Sequence, residues 1–503
     1  MCAVPATGNP VPVDPGTFAS ALAAAQPGDE LQLASGTYIG PFELDASHVI
    51  LRAADGAAPV IAEDLIVRGS DVEIRGIQFD AQTAGYAWLE VQGAPSDIRL
   101  IGNAFDSHAP NRDDGAFVGV ALTGDHLTLC GNAFGSWLGD EVSADKVDRM
   151  LVEHNDWSQA SAEHSLFAIV GHHIVIRDNA FRNPWQRALH ITDRSDDDRT
   201  DEVVVEHNTF IDSDWKTGSP NPSNEEQNQG GNEVVRFLGA RGIFRDNLLA
   251  GNHEGDNWDC HGILNFQTFI SSAGIDTRRL ADFRVYGNTF DSNKTSAIIF
   301  YMGQPPLDAT NNKFLNNVIT NSEHYAFSLC GDGHDVPLDT YRISHNVMPG
   351  ESVHLNDQTI LDVIAAALAM PSVFDQNMNK QPTYTNPGFA DGVAADPTSY
   401  RLANLDSAFA AYRLTNLSDG AGFSTPLAQV VSSSGATLTV DDALVFSDGE
   451  GVVDGDVIDI GGATAMVIAR DVDANTITLD HEITVEPGNP IRLAGASIDA
   501  GIY

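Results

Sequence analysis

One motif recurs along this chain: a short alternating strand, two residues, then Asn, any residue and an apolar residue. It reads IRLIGNAF (Asn103, Phe105), LTLCGNAF (Asn132, Phe134), MLVEHNDW (Asn155, Trp157), IVIRDNAF (Asn179, Phe181) and VVVEHNTF (Asn208, Phe210). It continues through GIFRDNLL (Asn247, Leu249), FRVYGNTF (Asn288, Phe290), FLNNVI (Asn317, Ile319) and YRISHNVM (Asn346, Met348), with VEIRGIQF placing Gln78 and Phe79 at about the same point. The Asn-to-Asn steps are 29, 23, 24, 29, 39, 41, 29 and 29 residues. A period in the twenties signals stacked supersecondary units, each burying its apolar face only against its neighbours.

The unit is β. Apolar residues alternate over short runs punctuated by Gly, Asn and Asp. A second strand precedes each motif: FVGVALTG, SLFAIVG, ALHITD, EVVRFLG, GILNFQ, AIIFYMG and YAFSLCG. Stacked as coils, Val120 and Leu122 lie beneath Phe167 and Ile169, followed by Leu189 and Ile191, Val235 and Phe237, and Leu264 and Phe266. The Asn suits a left-handed turn and, repeated from coil to coil, an amide ladder, with the next Phe turned inward. These features specify an all-β, right-handed parallel β-helix of about 12 coils over residues 1–415.

The ends fit this fold. Asp14-Pro15 introduces the apolar stretch TFASALAAA, a short helix that would cover the first coil and hide its open strand edge. PGDELQLASGTY resembles the opening coil of secreted β-helix proteins, and TNPGFADGVAADPTSYRLANLDSAFAA their closing coil. Residues 416–497 form a small C-terminal all-β module with strands ATLTVDDA, DVIDIGG, TAMVIARD and NTITLDH, serving packing or capping. A tail of 498–503 ends the chain.

With 27 Lys plus Arg against 70 Asp plus Glu, the net charge is −43. Such a surface repels nucleic acid, and the apolar runs are too short for a membrane span. Cys2, Cys130, Cys260 and Cys330 are too scattered for a disulfide framework or zinc cage. The last three read as buried thiols, and Cys2 as a candidate lipid-bearing residue. The expected location is secreted, periplasmic or on the outer surface, and the expected state a monomer.

The two long steps carry insertions at 212–232 and 252–267, which can wall one groove, and long loops on a rigid scaffold are where function concentrates. An outward column crosses the same coils: Ala121, Ala168, His190, Arg236, Asn265, Phe300 and Ser328. Gln186, Asn232, His261 and Ser296 lie farther up these strands. From Arg177 to Lys294 there are 13 of the 27 cations in 118 residues, enrichment that a groove for an anionic polymer would need and that pairing with neighbouring acids would equally explain.

NQGGNEVVRFLG (228–239) resembles a coil of polysaccharide lyase family six, the alginate lyase and chondroitinase B group. The resemblance implies a β-helix, an anionic polysaccharide substrate and β-elimination. The family then carries acidic calcium ligands and a Lys on the next coil, and Arg-His on the coil after. Here those coils read HGILNFQ and AIIFYMG, so neither the Lys nor the Arg-His is matched. Asp259 and His261 in NWDCHG also resemble an element of mannuronan C5-epimerases.

Elimination beside a uronate carboxylate requires that the carboxylate be neutralised, that a base take the C5 proton and that an acid assist the leaving oxygen. Arg236 supplies charge, alone or with calcium held by Glu233, Asp256 and Asp259; no organic cofactor is expected. His261 or Lys216 is the candidate base, and Tyr301 and His190 are candidate proton carriers. Asn265, Arg187, Asn232, Gln267 and Trp258 are candidate sugar contacts. The alternatives are an epimerase, a glycoside hydrolase using Asp256 with Asp259 or Asp212 with Asp214, and a non-catalytic carbohydrate-binding or adhesin-like protein.

Overall fold

The computed structural model describes residues 7–495 except 82–86, 108–117, 136–139, 159–164, 183–186, 193–199, 212–232, 239–240, 253–261, 269–278, 305, 307, 332–334, 356–359, 380–388, 391–392 and 395–424. The chain winds as a right-handed parallel β-helix. Its strands pair in parallel with those of the coils before and after, forming one long sheet of 24 strands, in which only Ile360–Asp362 runs antiparallel among the described pairings, and a second of 11. Among the described residues no helix is long and apolar enough to cross a membrane.

The repeated Asn is the spine of the coil. Each side-chain Nδ2 donates to the Oδ1 of the next Asn: Asn103 to Asn132 at 3.2 Å, Asn155 to Asn179 at 3.0 Å, Asn208 to Asn247 at 3.1 Å and Asn317 to Asn346 at 2.9 Å. The same Oδ1 accepts the backbone N–H of the preceding Asn, as Asn132 does from Asn103 at 2.9 Å. The ladder therefore satisfies buried amides completely, which burial in an apolar coil demands. It runs one coil beyond the motif, to Asn377.

The Asn is not itself the left-handed residue. The residue before it takes that conformation: His154, Asp178, His207, Asp246 and His345 all have φ between 54° and 57°. Glycine supplies the same turn at Gly102, Gly131 and Gly287, as expected where positive φ is required. In the coil before these, Gly76 makes the turn and Ile77 occupies the Asn position, because Gln78 pairs with Ala104.

Two residues after each Asn, an apolar side chain enters the interior. Phe79, Phe105, Phe134, Trp157, Phe181 and Phe210 form a continuous aromatic stack, with ring centroids 4.0 to 5.4 Å apart, a spacing that favours offset stacking. The second inward column follows the expected order, with one coil added: Val142 and Ala144 lie between Val120 and Leu122 on one side and Phe167 and Ile169 on the other.

The helix Phe18–Ala24 buries Phe18 and Leu22. Phe18 packs edge-on against Tyr38 and Phe42 of the early coils, with centroids 5.0 and 4.5 Å apart. Asp14 does not cap the helix itself. Its carboxylate accepts the N–H groups of Gly16 and Thr17 in the preceding turn, at 2.9 and 3.1 Å.

The C-terminal module is a closed six-stranded barrel formed by Ala428–Ser434, Thr437–Val440, Val457–Ile460, Ala463–Asp471, Thr476–Leu479 and Pro490–Leu493. It packs on the flank of the solenoid. Val175, Val204, Ile243, Tyr286 and Leu315 share one apolar cluster with barrel residues including Val445, Phe446 and Val467. Tyr286 Oη donates to the carbonyl of Val445 at 2.7 Å. The passage from coil to barrel at 395–424, and the tail, lie outside the described residues. Cys130 is disulfide-bonded, not the free buried thiol expected.

Candidate functional site

Four strands carry the residues expected to floor the groove: Arg187–Thr192, Val235–Leu238, Gly262–Thr268 and Ser296–Met302. Their inward residues fix the register, because a one-residue slip would turn the apolar set outward. His190 is thereby the backbone partner of Arg236, and Arg236 of Asn265. These three side chains form the outward column read from the sequence, one coil step of about 4.8 Å apart.

The column differs above and below. Ser143 stands between Ala121 and Ala168. Above Asn265 the position belongs to Ile299, not Phe300. Phe300 faces inward and stacks on Phe266 with centroids 4.7 Å apart. The strand AIIFYMG reaches its closing Gly303 one residue later than EVVRFLG and YAFSLCG reach theirs, so alignment on the glycine shifts its register by one, and its run of apolar residues hid the slip. Beyond Ile299 come Ser328 and His354. Ser328 Oγ lies 3.1 Å from His354 Nδ1, both buried. His354 was missed because its strand, Ser352–His354, is only three residues long.

At the centre of the floor sits Glu233, 5% exposed. Its Oε2 accepts from Arg187 Nε at 3.0 Å, and its Oε1 accepts from Asn265 Nδ2 at 3.1 Å. Arg236 Nε lies 3.9 Å from the same Oε1, and Arg236 also donates through Nη2 to Gln267 Oε1. Arg187 and Arg236 are 13% and 17% exposed. Burial pushes the Arg236 guanidinium down to about 10; Glu233 opposes this shift and Arg187 adds to it. Arg236 is therefore a cation at neutral pH. Tyr301, half-buried, is the backbone partner of Gln267.

The Asn265 amide turns its N–H toward Glu233, as a carboxylate requires. Its Oδ1 is buried and has no hydrogen-bond partner among the described residues, and the same holds for Arg236 Nε. An unmet acceptor and an unmet donor thus stand on paired residues of adjacent coils.

Lys216, Asn232, Asp256, Trp258, Asp259 and His261 lie outside the described residues, as do Gln186, Asp212 and Asp214. Of the expected calcium ligands, only Glu233 is described. Its surroundings do not suit the ion: both oxygens accept from donors, and two guanidinium groups stand beside them. Calcium wants oxygens free to converge on it.

The cation enrichment has a largely structural origin. Arg177 pairs with Glu153, Arg182 with Asp156, Arg241 with Glu202, Arg245 with Glu206 and Arg284 with Asp442. The barrel covers the last two. Arg187 and Arg236 are the enriched cations that these four strands carry or adjoin among the described residues.

No protein-family profile matches this chain, and neither does any curated protein. Solved structures do resemble it. An alginate lyase of polysaccharide lyase family 6, AlyGC, is 13% identical over 75% of this chain and 54% of that one, with a TM-score of 0.44. A mannuronic-acid-specific family 6 lyase from human gut microbiota is 15% identical over 68% of this chain and 86% of that one, with a TM-score of 0.39. A pectate lyase is 15% identical over 64% and 80%, with a TM-score of 0.30. The chain spans about half the length of the first of these.

Proposed function

We propose that the groove binds an anionic, uronate-containing polysaccharide and that the protein is a polysaccharide lyase acting on it by β-elimination. The observation that carries this reading is the pair of guanidinium groups, Arg187 and Arg236, gathered around a single carboxylate in a chain of net charge −43. Among the described residues two cations stand against one anion, which suits a negatively charged polymer. The half-buried amide of Gln267 suits a sugar hydroxyl. The resemblance of 228–239 to a lyase coil points the same way.

In this mechanism Arg236 receives the uronate carboxylate and stabilises the charge that develops there as C5 is deprotonated. His190, one coil step away, is the base that takes the C5 proton. The C4–O4 bond then breaks, a C4–C5 double bond forms, and the imidazolium returns the proton to the departing oxygen. Tyr301 stands three coil steps from the His190 strand, roughly 14 Å. The two cannot serve one sugar ring, so Tyr301 binds the neighbouring sugar beside Gln267. The reading carries with it a location outside the cytoplasm, where such polymers occur.

The test is a panel of alginate, pectate, glycosaminoglycan and neutral polysaccharides, assayed for ultraviolet absorbance of unsaturated ends and for reducing ends. Absorbance that rises with one uronate polymer and is lost in Arg236→Ala and His190→Ala is the expected result. Reducing ends without absorbance would make the protein a hydrolase. Binding without any product would make it a carbohydrate-binding protein.

A further inference from the structure

We propose that Glu233 is a positioning residue, not a metal ligand: it holds Arg187 and Arg236 in the groove so that guanidinium alone, with no divalent cation at Glu233, receives the substrate carboxylate. This rests on the lyase reading above for its substrate, but the role of Glu233 is argued from the groove itself.

A carboxylate prepared for a divalent cation keeps an oxygen turned toward the ion, and amides beside it offer their oxygens as well. Glu233 does the opposite. Arg187 Nε reaches one oxygen at 3.0 Å and Asn265 Nδ2 the other at 3.1 Å. The Asn265 amide offers its N–H, and the oxygen that a cation would want is the atom not facing Glu233. The third neighbour, Arg236 Nε at 3.9 Å, is again a cation. A divalent ion at this point would meet two fixed positive charges within a few ångströms, in a floor with little water to screen them.

Removing Glu233 would instead leave two buried guanidinium groups without their shared anion, and such charges move or lose their geometry. Arg236 is also held by Gln267 from the next coil. Glu233 and Gln267 thus bracket Arg236 from two strands, which fixes a long side chain in one orientation. Fixing that orientation before substrate arrives is what electrostatic catalysis requires. Glu233 touches no reacting atom in this scheme and acts only through the arginines.

Two measurements decide it. The first is calorimetric titration of calcium chloride into the wild-type protein and into Glu233→Gln. Identical isotherms, whether flat or showing an ion bound elsewhere, support the inference, and an isotherm present in the wild type and lost in the variant overturns it. The second is turnover of the uronate polymer in chelator and in excess calcium. Expected is wild-type turnover unchanged by chelator. In Glu233→Gln, kcat should fall at least tenfold, KM should stay level or drop because the floor is more positive, and calcium should give no rescue. Wild-type turnover that collapses in chelator and returns with calcium, but not in Glu233→Gln, overturns the inference; so does a variant with normal kcat and raised KM. If the wild type turns over no uronate polymer at all, the lyase reading falls, and calorimetry alone decides the role of Glu233.

Discussion

Arg284 of the solenoid and Asp442 of the barrel, 158 residues apart in sequence, meet through two hydrogen bonds of 2.7 and 3.1 Å. They are 2% and 4% exposed. Lys313 adds a third contact to the same carboxylate at 2.7 Å. One coil below, Arg245 joins Glu206 of its neighbouring coil to Asp456 of the barrel, at 2.6 and 2.7 Å. The barrel is thus fastened by buried charge as well as by apolar packing.

Removing one partner of such a pair leaves an uncompensated buried charge, which costs about 3–5 kcal/mol. Asp442→Ala should therefore lower stability by about that much. The double replacement Arg284→Met with Asp442→Leu should lose less, because the fully buried guanidinium goes with its partner and the one charge left, Lys313, is 23% exposed and can turn to water. Denaturant unfolding of the three proteins checks this. Equal losses in the single and double variants would show that the pair is not desolvated.

The same interface predicts a pH dependence. Burial raises the Glu450 carboxyl to about 7; Arg470 opposes the shift, while Asp448 and Glu202 add to it and His173 opposes it. Burial likewise raises Asp246 to about 7, with Arg245 and His207 opposing and Glu206 and Asp456 adding. A carboxyl raised by folding binds its proton more tightly in the native state. Its stabilisation is complete below the ordinary carboxylate range and is lost as pH rises through about 7. The protein should accordingly melt at a higher temperature at pH 5 than at pH 8. In Glu450→Gln with Asp246→Asn the difference between the two melting temperatures should shrink, and an unchanged difference would remove these two carboxyls as its source.

The Asn ladder predicts a position-specific penalty. Asn208 Oδ1 accepts both Nδ2 and the backbone N–H of Asn179, each at 3.0 Å. Its Nδ2 reaches Asn247 Oδ1 and the carbonyls of Ile176 and Glu206. Asn208→Ala leaves buried donors on one side and acceptors on the other, at about 1–3 kcal/mol for each group left unmet. The loss should exceed that of an alanine at a half-exposed polar residue such as Gln32 by several-fold, as thermal unfolding of the two variants would show.

The solenoid was legible in the sequence because its physics is periodic: the Asn amide and the apolar residue two places later face the same demand in every coil. Nothing local marks a register once the periodic cue weakens, and Phe300 was misplaced by one position where four apolar residues, Ala297 to Phe300, follow one another. The left-handed residue was assigned to the Asn because Asn tolerates that conformation. The structure gives it to His154, Asp178 and His207 instead, since the Asn amide is needed inside. The docking of the barrel was not legible at all, because Arg245 and Asp456 are 211 residues apart and no pattern in either segment names the other. In the groove, the juxtaposition of His190, Arg236 and Asn265 followed from strand alignment alone. The engagement of Glu233 by Arg187 did not, because it crosses the insertion between two coils, 46 residues in sequence.

Arg236 offers a pH test that separates a charge role from a packing role. Burial holds its guanidinium down to about 10, well below the ordinary arginine value. If the charge receives the uronate, affinity for the polymer should hold steady through neutral and mildly alkaline solution. It should then fall as pH passes about 10, where the group loses its proton. Arg236→Lys keeps a cation but loses the planar fork that binds a carboxylate through two hydrogen bonds, so its affinity should already be reduced about tenfold or more at neutral pH. Titrating a uronate oligosaccharide against both proteins, with circular dichroism confirming that the fold survives at each pH, gives the comparison. A wild-type affinity that stays flat beyond pH 10 while the fold is intact, or a lysine variant that binds as well as the wild type, would remove Arg236 from the carboxylate.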